Sequence, residues 1–264
     1  MSDPAAARST VDVSGVVPEA RHIVQRVAEI YLRHLDASFI GMEALGSAVT
    51  GDFIPGCSDV DIHMYADDAA FVEPWRLPFE MTVAIHRELS AIDVAPFGYV
   101  QCYVLPARLL EGWNGPIPGA WHLVAGRAPL AEATAGELRD AAHRSLAELR
   151  PVPRFLENAL LDYGDVRLPR LARLICTNDV WPHLRHLRIA RGMDPIAAWN
   201  QPKLAAVESL PADSPAGQAA RAFVEALHAY YPERTSTDAA LALLERGVAF
   251  LHAVKEEYAR LTET

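Results

Sequence analysis

The chain has 264 residues, of which 51% are hydrophobic, with a mean hydropathy of +0.05 and a formal net charge of −10. That length suits one large domain or two ordinary ones with a real core; the acidic balance, with no extended basic tail or aromatic–basic stretch, argues against nucleic acid as partner. Cys57, Cys102 and Cys176 give neither zinc spacing nor a disulfide framework, no stretch approaches a membrane-spanning length, and Met1-Ser2-Asp3-Pro4 lacks the basic and apolar regions of a signal peptide, so a cytoplasmic enzyme with no membrane partner is expected.

Residues 1–16 are small and polar. From Pro18, apolar residues recur at Ile23, Val24, Val27, Ile30, Tyr31 and Leu35, which predicts a helix with proline in its first turn. The apolar run at 38–45 predicts a buried strand, and a second follows at 60–65. Asp67-Asp68 marks a turn, and 78–92 reads as a helix with Phe79, Val83, Ile85, His86 and Leu89 on its apolar side. The aromatic and branched run at 99–105, ended by Pro106, predicts a third strand. Gly112, Gly115, Pro116, Pro118 and Gly119 predict a long irregular connection over 112–130, with Trp113 and Trp121 packed within it. Beyond it the pattern is helical, with candidate helices at 137–149, 155–163, 168–178, 182–191, 195–210, 216–230 and 238–261. Several are preceded by Ser, Thr or Asp as N-caps. The composition shift near residue 130 divides the chain into an α+β domain, 1–130, and an all-α bundle, 131–264.

The densest chemistry lies in Gly46-Ser47-Ala48-Val49-Thr50-Gly51-Asp52-Phe53-Ile54-Pro55-Gly56-Cys57-Ser58-Asp59-Val60-Asp61. A Gly-Ser turn lets backbone N–H groups approach phosphate oxygens closely. Alternation along a strand puts Asp59 and Asp61 on one face. Two carboxylates beside a phosphate cradle suit a magnesium–nucleotide site, although Asp-x-Asp alone also fits a solvated hairpin or a fragment of a calcium loop. Gly46-Ser47 followed by Ser58-Asp59-Val60-Asp61 resembles the signature of the nucleotidyltransferase superfamily related to DNA polymerase β. Within it, the chain looks most like the streptomycin/spectinomycin-type aminoglycoside adenylyltransferases. Pro202-Lys203-Leu204-Ala205-Ala206 with Leu210-Pro211 resembles the Lys-x-Ala-Ala…Leu-Pro segment of that family's helical domain.

The resemblance implies a small mixed-sheet palm followed by a helical domain, with the small-molecule site in the cleft between them. It implies magnesium-dependent transfer of a nucleoside monophosphate, AMP from ATP, to a hydroxyl of a small cationic or polyhydroxylated acceptor such as an aminoglycoside-like antibiotic. Asp59 and Asp61 would hold Mg2+, while Gly46, Ser47, Ser58 and Lys203 would contact the nucleotide. The family carries a third carboxylate on the next strand, and here that position falls on Gln101. An amide is no base and a weaker metal ligand. No acid lies between Val94 and Leu110, which leaves Asp93, Glu80, Glu88 or Glu111 as substitutes. The alternative is a nucleotide-binding module with weak or no transferase activity.

Residues 150–191 hold eight arginines and four acids in this acidic chain. They form either a phosphate-attracting patch or a solvated face with local ion pairs. His183 and His186 have a helical metal-ligand spacing but no third ligand nearby, so they read as ordinary surface or interdomain histidines. Asp162, Asp165 and Asp179 are candidates to face a cationic substrate.

Overall fold

The computed structural model describes residues 10–263 apart from 74, 109, 111–112, 163–165 and 235. The chain divides into two compact units, Met1–Ala133 and Thr134–Thr264. One is α+β and the other helical.

The first unit is built on a four-stranded sheet in the order β3-β2-β1-β4. The strands are β1 (Phe39–Leu45), β2 (Val60–Ala66), β3 (Val100–Pro106) and β4 (Trp121–Gly126). β1 runs antiparallel to β2 and to β4, while β2 and β3 are parallel. The sheet is therefore mixed. The parallel pair needs a crossover, and the helix α3 (Phe79–Leu89) lies within it. Strand alternation sorts the side chains. Met42, Ala44, Val60, Ile62 and Met64 point to one face, where they share a core with Ile23, Val27 and Ile30 of α1 (Pro18–Leu35) and with Ile85 of α3. The opposite face carries Glu43, Asp61, His63, Tyr65, Gln101 and Tyr103, the neighbours that the strand registers bring side by side.

Two differences from the sequence reading concern this unit. The expected irregular connection over 112–130 contains β4, which pairs with β1 from Gly41–Gly126 to Leu45–Trp121. Gly46-Ser47 is a turn that continues into the single-turn helix α2 (Ser47–Thr50).

The second unit opens with α4 (Ala135–Ala147), fixed by a capping box in which Thr134 and Glu137 serve each other's backbone amides. α5 (Arg154–Glu157) and a 3-10 turn at Ala159–Leu161 replace the single helix expected at 155–163. α6 (Arg167–Leu174) runs through a π-helical stretch, Ile175–Val180, into α7 (Trp181–Ala190). Pro182 has no N–H for the α-helical ladder, and the widening sits immediately before it. Pro202 likewise splits the segment 195–210 into α8 (Pro195–Asn200) and α9 (Lys203–Glu208). α10 (Pro215–Tyr230) and α11 (Thr237–Thr262) close the bundle. A Cβ on Gly247 would lie 2.6 Å from Ile175, so the glycine lets α11 approach the π-helical stretch. Trp181 packs edge-on against Phe223, ring centroids 5.4 Å apart. Among the described residues no helix is long and apolar enough to cross a membrane.

Candidate active site

Gly46 ends β1 at φ +60°, a conformation that L side chains rarely adopt. Its N–H donates to the carbonyl of Ala120 over 2.8 Å, and its carbonyl accepts from Val49 and Thr50 as α2 begins. The chain then loops out to Ser58 and returns along β2. Three bonds close that loop. The Ile54 N–H donates to Ser58 Oγ (2.8 Å), the Ser58 N–H to the Ile54 carbonyl (2.8 Å), and the Gly98 N–H to the Ser58 carbonyl (2.8 Å). Ser58 is buried and its hydroxyl serves the loop. Ser47 Oγ donates to the carbonyl of Asp59 over 3.2 Å, which joins the turn directly to the acidic pair.

Asp59 stands one residue before β2 and is 8% exposed. Asp61 has the same parity, one residue inside the strand. A Cβ placed on Gly46 would lie 3.7 Å from Asp61 Oδ2, so that carboxylate faces the turn. Across β3, Asp61 is in register with Gln101. Turn, carboxylates and Gln101 thus come together at one end of the sheet. Both ends of the Gln101 amide are engaged by tyrosines of its own strand edge: the Tyr99 hydroxyl donates to its Oε1, and its Nε2 donates to the Tyr103 hydroxyl. Mg2+ is commonly held by one or two carboxylates together with substrate phosphates, and the oxygen donors of Asp59 and Asp61 fit that pattern. Among the described residues no group of three or more His, Cys, Asp or Glu side chains is set to hold a metal by itself.

The substitutes considered for the third carboxylate lie elsewhere. Glu88 pairs with Arg33 and with His34 (2.8 Å), both on α1, in the helical layer over the apolar face. Glu80 is in the first turn of α3, in that same layer. Asp93 Oδ1 accepts from the Ala95 N–H at 3.1 Å, and the Asp93 carbonyl bonds His22 of α1. Glu111 and Asp165 lie outside the described residues.

Four side chains on the polar face, Glu43, His63, Tyr65 and Tyr103, escaped the sequence reading. Glu43 on β1 is fully buried and pairs across the ladder with His63. Tyr65 donates to its Oε2 over 3.0 Å, while its Oε1 is buried with no hydrogen-bond partner among the described residues. Burial pushes the Glu43 carboxyl up to about 7, against the opposing pull of that bond. His63, two residues beyond Asp61, packs against the rings of Tyr103 (5.8 Å) and Trp113 (5.7 Å), and burial pushes its imidazole down to about 4. Tyr103 and Trp113 meet edge-on at 5.6 Å and remain 40% and 39% exposed. Trp113, expected simply to pack, therefore leaves part of its ring in solvent. Trp121 Nε1 donates to Glu132 over 2.7 Å. The signal for His63, Tyr65 and Tyr103 was the period-two spacing Asp61-His63-Tyr65 and Tyr99-Gln101-Tyr103.

In the second unit most of the arginine excess is tied up internally. Arg150 pairs with Glu157 (2.7 Å), Arg167 with Asp162 (2.5 Å) and Arg191 with Glu257; Arg188 donates to Gln201, and Arg185 lies over the ring of Trp199 at 5.0 Å. Lys203 opens α9. His183 bonds the Asp179 carbonyl (2.7 Å) and Ser145 Oγ (3.3 Å), and burial pushes the neighbouring His186 down to about 3, so both are packed within the helical unit. Burial pushes the Asp179 carboxyl up to about 6.

No protein-family model and no curated protein matches the chain. Among solved structures it is similar to that of spectinomycin adenyltransferase AAD(9) from Enterococcus faecialis, determined with ATP and spectinomycin, at 16% sequence identity and a TM-score of 0.48, over 91% of this chain and 98% of that one.

Proposed function

We propose that the chain is a magnesium-dependent nucleotidyltransferase that moves AMP from ATP to a hydroxyl of a small cationic or polyhydroxylated acceptor, of which aminoglycoside-like antibiotics are the class to test first. The observation that carries this reading is the junction of the Gly46-Ser47 turn with Asp59 and Asp61. One hydrogen bond, Ser47 Oγ to the Asp59 carbonyl, locks them together, and Asp61 Oδ2 faces the turn. The open backbone at Gly46 leaves room for the outer phosphates. Asp59 and Asp61 would hold the ion, which when bound neutralises charge on the α-phosphate and on departing pyrophosphate. The acceptor oxygen forms its bond to the α-phosphorus as the bond to pyrophosphate breaks, and the hydroxyl proton passes to solvent. Gln101 lies beside Asp61 and, as an amide, takes no proton from the hydroxyl; it can only orient groups. Lys203, in the second unit, is the candidate cation for the phosphates.

Pyrophosphate release from ATP and Mg2+ over a panel of aminoglycosides and neutral polyols tests the reading, with spectinomycin as the first acceptor. Turnover that survives unchanged in both Asp59→Ala and Asp61→Ala would sink it. Gln101 specifically favours a second reading, a nucleotide-binding module with weak or no transfer. ATP bound without pyrophosphate release, in wild type and in Gln101→Glu alike, would select that module.

A further inference from the structure

We propose that the exposed faces of Tyr103 and Trp113, backed by His63, form the acceptor subsite, and that they take a cationic, ring-bearing polyhydroxylated molecule through its ammonium or guanidinium group. This rests on the reading of Asp59 and Asp61 as a nucleotidyl-transfer centre.

Strand order gives the first argument. The Gly46-Ser47 turn leaves β1, on one side of β2, while Tyr103 is on β3, on the other side. The acidic pair at the head of β2 lies between them. Phosphates cradled by the turn leave the β3 side to the molecule that attacks from the opposite direction, as in-line displacement requires. Tyr103 is also bonded to Gln101, the immediate neighbour of Asp61, so the rings abut the reacting end of the sheet.

Chemistry gives the second argument. The three rings meet edge-on or tilted at 5.6–5.8 Å and brace one another, yet Tyr103 and Trp113 stay 40% and 39% exposed. Exposed, braced aromatic faces attract cations through the ring quadrupole and suit the C–H faces of saturated rings. Asp59 and Asp61 add negative potential beside it, in a chain of net charge −10.

Titration calorimetry on the full chain, with and without MgATP, provides the test. The probes are streptomycin, spectinomycin and kanamycin, with uncharged myo-inositol and sucrose as comparators. Wild type should bind at least one cationic probe and neither neutral one. Tyr103→Leu and Trp113→Leu should each weaken that binding by about 3- to 30-fold, the span of measured cation–ring attractions, and leave ATP affinity unchanged. Tyr103→Phe and Trp113→Phe keep a ring, should hold the affinity within about threefold, and expose any general failure to fold. Binding that is absent in wild type, or unaltered in the leucine variants, overturns the subsite. Loss of ATP binding in the leucine variants overturns it too, by giving the rings to the adenine. Ring-dependent cation binding in a chain that never releases pyrophosphate keeps the subsite and refutes the transferase.

Discussion

Replacing Glu43 by Gln should change how stability depends on pH. Glu43 is fully buried on β1, with one oxygen bonded by Tyr65 and the other without a partner among the described residues. Burial pushes its carboxyl from the ordinary 4.5 up to about 7. Between those values the folded state holds a proton that the unfolded state has released, so stability falls as pH rises through this window and is level on either side. At about 1.4 kcal/mol per tenfold, the shift amounts to about 3 kcal/mol lost above pH 7 relative to pH 4.5. Glutamine keeps an oxygen for the Tyr65 hydroxyl and cannot ionise. Its amide nitrogen brings a buried donor that costs about 1–3 kcal/mol if unpaired, at every pH alike. The readout is therefore the change with pH. Urea unfolding of wild type and Glu43→Gln at pH 5 and pH 8, followed by tryptophan fluorescence, cancels every other titrating group in the difference. The variant should gain about 2–3 kcal/mol on the wild type between the two pH values. A difference that stays constant within about 0.5 kcal/mol would mean that Glu43 does not titrate there and that the burial argument fails.

Asp61→Asn should lower pyrophosphate release by at least about 100-fold with the melting temperature unchanged, because this carboxylate lies at the mouth of the turn and outside the apolar core; retained turnover would move the metal elsewhere. Gln101→Glu should raise turnover by about 10²–10⁴-fold if a general base is what the site lacks. The Tyr99 and Tyr103 hydroxyls can both donate to the new carboxylate, so thermal unfolding should barely move; slower turnover in the variant would show that the proton has another route. Gly46→Ala meets nothing nearer than Asp61 Oδ2 at 3.7 Å, so its cost is conformational, about 1–3 kcal/mol for a side chain forced to positive φ. A chemical denaturation curve unchanged from wild type would mean that the turn relaxes at no cost.

What the sequence disclosed and what it hid divide along a physical line. β1, β2 and β3 are short apolar or aromatic runs with turn residues at their ends, and α1 has helical spacing behind Pro18, so local pattern suffices for each. β4 does not announce itself. Trp121–Gly126 follows a run of glycine and proline, and it is a strand because β1 offers an edge to pair with, which is tertiary information. The breaks at Pro182 and Pro202 could be read from the residues that cause them, but not whether each helix would stop or widen. The site shows the same division. Gly46, Ser47, Asp59 and Asp61 are neighbours in sequence, and their convergence needs only a loop and the parity of a strand. Gln101 is 40 residues from Asp61, and the register that sets them side by side follows from the parallel pairing of β2 and β3. Glu43 is a lone acid inside an apolar strand, where periodicity counts it as an exception. Only the ladder that aligns it with His63, and the Tyr65 hydroxyl beneath, make it part of the same polar face. A buried carboxylate and a neutral histidine set behind two exposed rings and an amide are costly to build into a sheet whose other face packs an apolar core. That cost falls on the one face where the acidic pair lies, which is where stability would be surrendered for binding or chemistry.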